Sequence, residues 1–134
     1  MSVLIDTSVW SRALRRSRVG TNEVARELGY LIREDLAVLI GPIRQELLSG
    51  VRSASQFELL KSRVRAFPDL ELVTSDYEEA AMYFNQCRAR GIQGSSVDFL
   101  ICATATRRRM SIFTTDGDFQ IFARVLPIKL HHFS

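Results

Sequence analysis

The chain of 134 residues is short of several things that would each point to a class of function. No apolar run approaches the roughly 18 residues that a membrane-spanning helix needs, so no membrane role is expected. The first residues, Met1-Ser2-Val3-Leu4-Ile5-Asp6, have no basic start and no long apolar stretch, and an acid arrives at position 6. They do not read as a secretory signal, and a cytoplasmic protein is expected. Cysteine is scarce. Cys87 and Cys102 lie in helix-like segments, form no Cys-x-x-Cys pair and read as two small buried hydrophobes in a reducing compartment. Histidine is limited to the adjacent His131-His132, which with two cysteines lacks zinc-ligand spacing. Lysine occurs only as Lys61 and Lys129, so the net charge of +3 is carried mostly by arginine. Arginine suits bidentate contact with phosphate or carboxylate. A charge of +3 is, on its own, no more than solvated helix faces produce. No internal repeat, low-complexity tract or linker is visible.

Hydrophobic residues make up 46% of the chain, enough for a real core and too many for a disordered segment. The length fits a single domain over residues 1–134. Val3-Leu4-Ile5 reads as a buried strand, Ala37 to Ile40 as a second, Leu70 to Val73 as a third, Ser111 to Thr114 as a fourth and Pro127 to Leu130 as a last. Helices are expected over Val9 to Leu14, Asn22 to Arg33, Pro42 to Leu48, Ser55 to Ala66, Ser75 to Arg90, Val97 to Arg108 and Asp118 to Ala123. Ser75-Asp76-Tyr77-Glu78 has the form of a capping box opening its helix, as has Ser95-Ser96-Val97-Asp98. Gly50 and Gly91 read as helix stops. Short strands alternating with helices predict an α/β fold with a central parallel sheet flanked by helices.

Four acids stand where acids are unexpected. Asp6 directly follows an apolar strand, at the carboxyl end where open α/β sheets bind ligands; capping of the next helix is the competing explanation. Glu46 lies on a half-apolar helix face and could equally be a solvated glutamate. Asp98 shares a helical stripe with Ile101, Cys102 and Ala105, so its carboxylate points inward or into a cleft. A buried unpaired charge is expensive, so it needs a cation or a donor. Asp116 follows a strand, though Asp-Gly is also turn chemistry. In a doubly wound sheet these four positions can converge on one edge. Two unit charges about 4 Å apart, at an effective dielectric of about 20, repel by roughly 4 kcal/mol. Such a cluster persists only if partly protonated or bound to a cation, and magnesium and manganese favour oxygen ligands. No histidine is near the four in sequence, which argues against zinc.

Four segments carry a resemblance: Leu4-Ile5-Asp6-Thr7-Ser8-Val9-Trp10, Gln45-Glu46-Leu47-Leu48-Ser49-Gly50, Ser96 to Ala105, and Thr115-Asp116-Gly117-Asp118-Phe119. In this order and at these separations the chain resembles a PIN-domain protein of the VapC toxin type. The resemblance implies a three-layer α/β sandwich and magnesium- or manganese-dependent endonucleolytic cleavage of RNA. It implies that Asp6, Glu46, Asp98 and Asp116 are the catalytic and metal-binding quartet, with Asp6 and Asp98 the principal ligands. A water activated by the metal would attack the scissile phosphate in line. Thr7, Ser8 and Thr115 would orient water or carboxylates, and Asp118 matches an additional acid whose role is less defined. A homodimer and a cognate antitoxin protein that blocks the site are implied as partners.

Arginines at the approach would hold flanking RNA phosphates. The candidates are Arg12, Arg15, Arg16 and the run Arg107-Arg108-Arg109, for which a solvated helix end is the plainer explanation. Trp10 could stack a base but fits packing in the core or a dimer interface better. Tyr77, Tyr83 and Phe84 share one helix and could form a protein interface, though core packing is the plainer expectation. A haloacid-dehalogenase-type phosphatase would want a second acid two residues after Asp6, where Ser8 stands. The alternative function is a weak or inactive PIN-like module that binds RNA or protein.

Overall fold

A computed structural model describes residues 1–14 and 22–133. Strand β1 (Val3–Ile5) leads into helix α1 (Thr7–Leu14), and α2 (Glu23–Arg33) into β2 (Ala37–Val38). Helices α3 (Gly41–Leu48), α4 (Ala54–Val64), α5 (Thr74–Ala89) and α6 (Ser96–Arg107) follow, then β3 (Ser111–Phe113) and α7 (Asp118–Phe122). The sheet has the order β2-β1-β3 and is parallel throughout, with Val3 opposite Ala37 and Ser111, and Ile5 opposite Phe113. Val3, Leu4 and Ile5 are all buried, as befits a central strand covered on both faces.

β2 and β3 lie on opposite sides of β1. Right-handed crossovers therefore put the intervening helices on opposite faces of the sheet. α6 packs on β1 and β3, α2 on β2, and α5 and α6 form the closest helix pair. This is the expected parallel sheet flanked by helices, and β1 is the point where strand order reverses. Ligand crevices form outside the carboxyl ends of strands at such a point.

Local chemistry explains most helix boundaries. Asn22 accepts a hydrogen bond from Val24 N at 2.9 Å, and α2 then buries Val24, Leu28 and Leu31. Pro42 occupies the first turn of α3. Gly50 ends that helix with a φ of +83°, a conformation that costs glycine little.

Four expectations need correction. Leu70 to Val73 and Pro127 to Leu130 are not strands: each outer position is reduced to a single parallel bridge, Leu39 with Asp69 and Ile112 with Leu130. Pro68 and Pro127 lack the N–H that a longer ladder would need there. β2 is likewise shorter than Ala37 to Ile40. Finally, α5 opens at Thr74, and the acid that closes its first turn is Asp76, which accepts from Val73 N at 2.8 Å. The box read at Ser75 to Glu78 is therefore displaced. Asp76 is wholly buried and is bound by Arg107 Nε at 2.8 Å and by Arg108 at 2.7 and 2.8 Å.

Candidate active site

Asp6 follows the last residue of β1, with its N–H donating to Phe113 O across the sheet at 2.9 Å. It is 5% exposed. Its carbonyl accepts the first helical bonds of α1, from Val9 and Trp10. Its carboxylate is engaged differently: Oδ2 accepts from Ser8 Oγ and from Thr114 Oγ1, each at 2.7 Å. The backbone of the β3 side completes the link. Thr115 N donates to Ser8 Oγ and Asp116 N to Thr114 Oγ1, both at 3.0 Å. Thus the residue after β1 and the residue after β3 are knitted together at the carboxyl edge.

Asp98 reaches the same edge from the start of α6. Ser95 Oγ accepts from Asp98 N, and Ser95 N donates to Asp98 Oδ2, both at 3.0 Å, so the expected capping box forms. The inward-facing expectation holds as well. Ile101, Cys102 and Ala105 on its stripe are buried. Loss of solvent raises the carboxyl of Asp98 above its ordinary range, against the two Ser95 hydrogen bonds, and the negative charges of Asp6 and Asp116 push it further. Asp98 is therefore near enough to Asp6 and Asp116 to feel both. The buried thiol of Cys102 lies in the same field and is pushed well up, foremost by its burial and then by Asp98. That leaves it an inert core residue, as read from the sequence.

Asp116 Oδ1 accepts from Asp118 N at 2.9 Å, which is the turn expected of Asp-Gly. Asp118 is exposed, and its carboxylate caps nothing: the N-cap of α7 is Gly117, without a side-chain bond. Glu46 is exposed on α3 and accepts from Thr7 Oγ1 at 2.7 Å, which ties it to the residue beside Asp6.

Each of the four carboxylates thus has one oxygen fixed by a donor of the protein. The other oxygen, Oδ1 of Asp6 and Asp98, Oδ2 of Asp116 and Oε2 of Glu46, has no hydrogen bond among the described residues. The donor set is oxygen throughout, which suits magnesium or manganese. Among the described residues, no three His, Cys, Asp or Glu side chains are gathered closely enough to form a ligand set in this conformation.

The supporting residues differ from expectation in one respect. Thr7 and Ser8 bind carboxylates, but the hydroxyl on the β3 side is that of Thr114, and Thr115 contributes only its N–H. The register explains this: Ile5 pairs with Phe113, so the next residues, Asp6 and Thr114, are neighbours. Arg107 is joined to Asp76 instead of lining the site, and Arg12 is exposed on α1. Arg15 and Arg16 lie outside the described residues. Trp10 is buried, its ring edge-on to Phe67 at 5.0 Å, as core packing requires.

Against known proteins, the family profile described as the PIN domain matches residues 3–125. Ribonuclease VapC11 of Mycobacterium tuberculosis is 31% identical over 136 residues, covering 98% of each chain. Among solved structures, VapBC2 from Rickettsia felis, bound to a DNA fragment from their promoter, superposes with a TM-score of 0.80 over 100% of both chains, at 13% identity. A toxin-antitoxin complex from Klebsiella pneumoniae gives a TM-score of 0.64 over 88% of this chain and 90% of that one, at 18% identity. The two structures speak for the fold, while the profile and the mycobacterial relative cover nearly the whole chain and all four acids lie within them. The chain belongs to the PIN-domain family.

Proposed function

We propose that the protein is a metal-dependent endoribonuclease, the toxin of a toxin–antitoxin pair. The observation that carries this reading is the pattern of oxygens at the sheet edge. Four carboxylates each keep one oxygen held and one open among the described residues, and Asp98 feels the charges of Asp6 and Asp116. The name of the mycobacterial relative, a ribonuclease, supports the same chemistry.

Asp6, Glu46, Asp98 and Asp116 would hold a magnesium or manganese ion. Such an ion, when bound, lowers the pKa of water and stabilises charge on phosphoryl oxygens. The chain's own groups prepare the place for it. Ser8 and Thr114 orient Asp6 from both sides, Thr7 orients Glu46, and the Ser95 N–H orients Asp98. Asp118, exposed beside Asp116, is available as an additional acid.

The reading includes two protein partners. A cognate antitoxin follows from the toxin type and accords with the fold shared with the Klebsiella complex. A homodimer is supported by an apolar groove of about 480 Å³, lined by Tyr77, Ala81, Phe84, Val97 and Leu100 of α5 and α6 and by Pro42 of α3. The reading places the protein in the cytoplasm with its RNA; among the described residues no helix is long and apolar enough to cross a membrane.

The test is incubation of purified protein with total RNA in magnesium, in manganese and in excess EDTA. Internal cleavage with either metal and none in EDTA is expected. Equal cleavage in EDTA would contradict the reading.

A further inference from the structure

The course of α5 and α6 sorts the arginines of this region into two groups. α6 starts beside the acids, with Asp98 in its first turn, and ends at Arg107. Nine residues at about 1.5 Å each carry Arg107 roughly 13 Å along the axis from Asp98. There Arg107 and Arg108 are bound to Asp76, in the first turn of α5. The two helices are therefore antiparallel, and the last turn of α5 comes back to the edge where Asp98 stands.

That returning end carries Arg88, in the last turn, and Arg90, the C-cap. The turn that follows, from Gly91 to Ser95, contains no acid. It is pressed onto α7. A Cβ on Gly94 would lie 2.7 Å from Phe122 Cζ and 2.9 Å from the Phe99 ring, and the Phe99 and Phe122 rings are 5.0 Å apart. Arg124 stands two residues beyond Phe122, in the turn after α7. Arg88, Arg90 and Arg124 are all exposed. Among the described residues none of them is in an ion pair, whereas Arg44, Arg107 and Arg108 each face an aspartate.

The end of the α5–α6 hairpin where Asp98 stands thus presents exposed guanidinium groups that are unpaired among the described residues. Guanidinium forks match phosphate oxygens bidentately. We propose that Arg88, Arg90 and Arg124 form the phosphate-binding surface that holds an RNA strand beside the acid site. The inference rests on the ribonuclease reading and replaces Arg107 and its neighbours as the backbone contacts.

The experiment uses the full chain silenced by Asp98→Asn and a fluorescent single-stranded RNA oligonucleotide, with affinity measured by anisotropy across a tenfold range of KCl. Each phosphate contact on a single strand contributes about 0.7 to the slope of log affinity against log salt. Adding Arg88→Gln, Arg90→Gln and Arg124→Gln should flatten that slope by about 2. Arg33→Gln, at the far end of α2, should leave it unchanged. In the catalytically intact chain the triple variant should raise KM at least tenfold with kcat within twofold. A parent that binds RNA with a slope the triple variant shares would overturn the assignment while leaving the ribonuclease reading intact. Absence of RNA cleavage by the unmodified chain in magnesium and manganese, together with no salt-dependent binding, would overturn both.

Discussion

At the scale of single residues, the site depends on which hydroxyl meets which oxygen. Asp6 is flanked by Ser8, two residues along its own chain, and by Thr114, which only the sheet brings near. Ser8 and Asp6 are two residues apart in sequence, so that half of the arrangement was legible beforehand. Thr114 was not, because Thr114 and Thr115 look alike until the pairing of Ile5 with Phe113 decides which one faces Asp6. Partners that orient carboxylate ligands typically contribute about 10- to 100-fold to metal affinity or activity. Thr114→Val should therefore weaken manganese binding by about that factor, read by calorimetry. Thr115→Val, which removes a hydroxyl without a partner among the described residues, should change it less than about twofold. Equal losses in both variants would show that the Asp6 contact is not what orients the site.

At the scale of elements, the α5–α6 pair carries a feature that sequence patterning missed. Ser75 to Glu78 resembles a helix start, and nothing local distinguishes that pattern from the box closed by Asp76 two residues earlier. The difference lies thirty residues away, in two arginines that had passed for a solvated helix end. The Arg108 guanidinium holds the Asp76 carboxyl well below its ordinary value of 3.8, overcoming a burial that acts the other way, with Val73 N–H and Arg107 adding to it. A carboxyl whose folded pKa is depressed contributes stability that is present above the unfolded value and is lost as pH falls towards the folded one. Asp76→Asn should cost about 3 kcal/mol at pH 7, because both arginines lose their counter-charge. By urea denaturation the gap to the unmodified protein should narrow steadily from pH 5 to pH 2. A gap independent of pH would mean that the carboxylate charge is not what joins the helices.

At the scale of the whole molecule, the alternation of strand and helix was enough to identify the parallel sheet and the carboxyl edge that Asp6 and Asp116 follow. The two outermost strands were over-read because a short apolar stretch beside a proline has the composition of a strand, whereas pairing needs N–H groups and neighbours that composition does not report. Asp98 was the most legible of the acids, since its stripe is otherwise apolar. Glu46 and Asp116 were legible through the resemblance more than through their surroundings; Asp116 proves to be held by a local donor, the Asp118 N–H, and Glu46 by Thr7, which the fold brings to it from α1. The apolar groove was foreshadowed only in part. Tyr83 is core, as expected, but Tyr77 is 53% exposed and borders the groove with Phe84. If a second copy covers this surface, Tyr77→Asp should halve the mass seen by light scattering, because a charge there would be buried without a partner. An unchanged mass would place the dimer contact elsewhere.

On the proposed reading, the four carboxylates act together on RNA. The most direct measurement compares the purified chain with its Asp98→Asn variant on one RNA in magnesium, under single-turnover conditions, with circular dichroism confirming that both are folded. Cleavage by the first is expected, with a loss of at least about a thousandfold, roughly 4 kcal/mol of barrier, in the second. Cleavage at equal rates would contradict it.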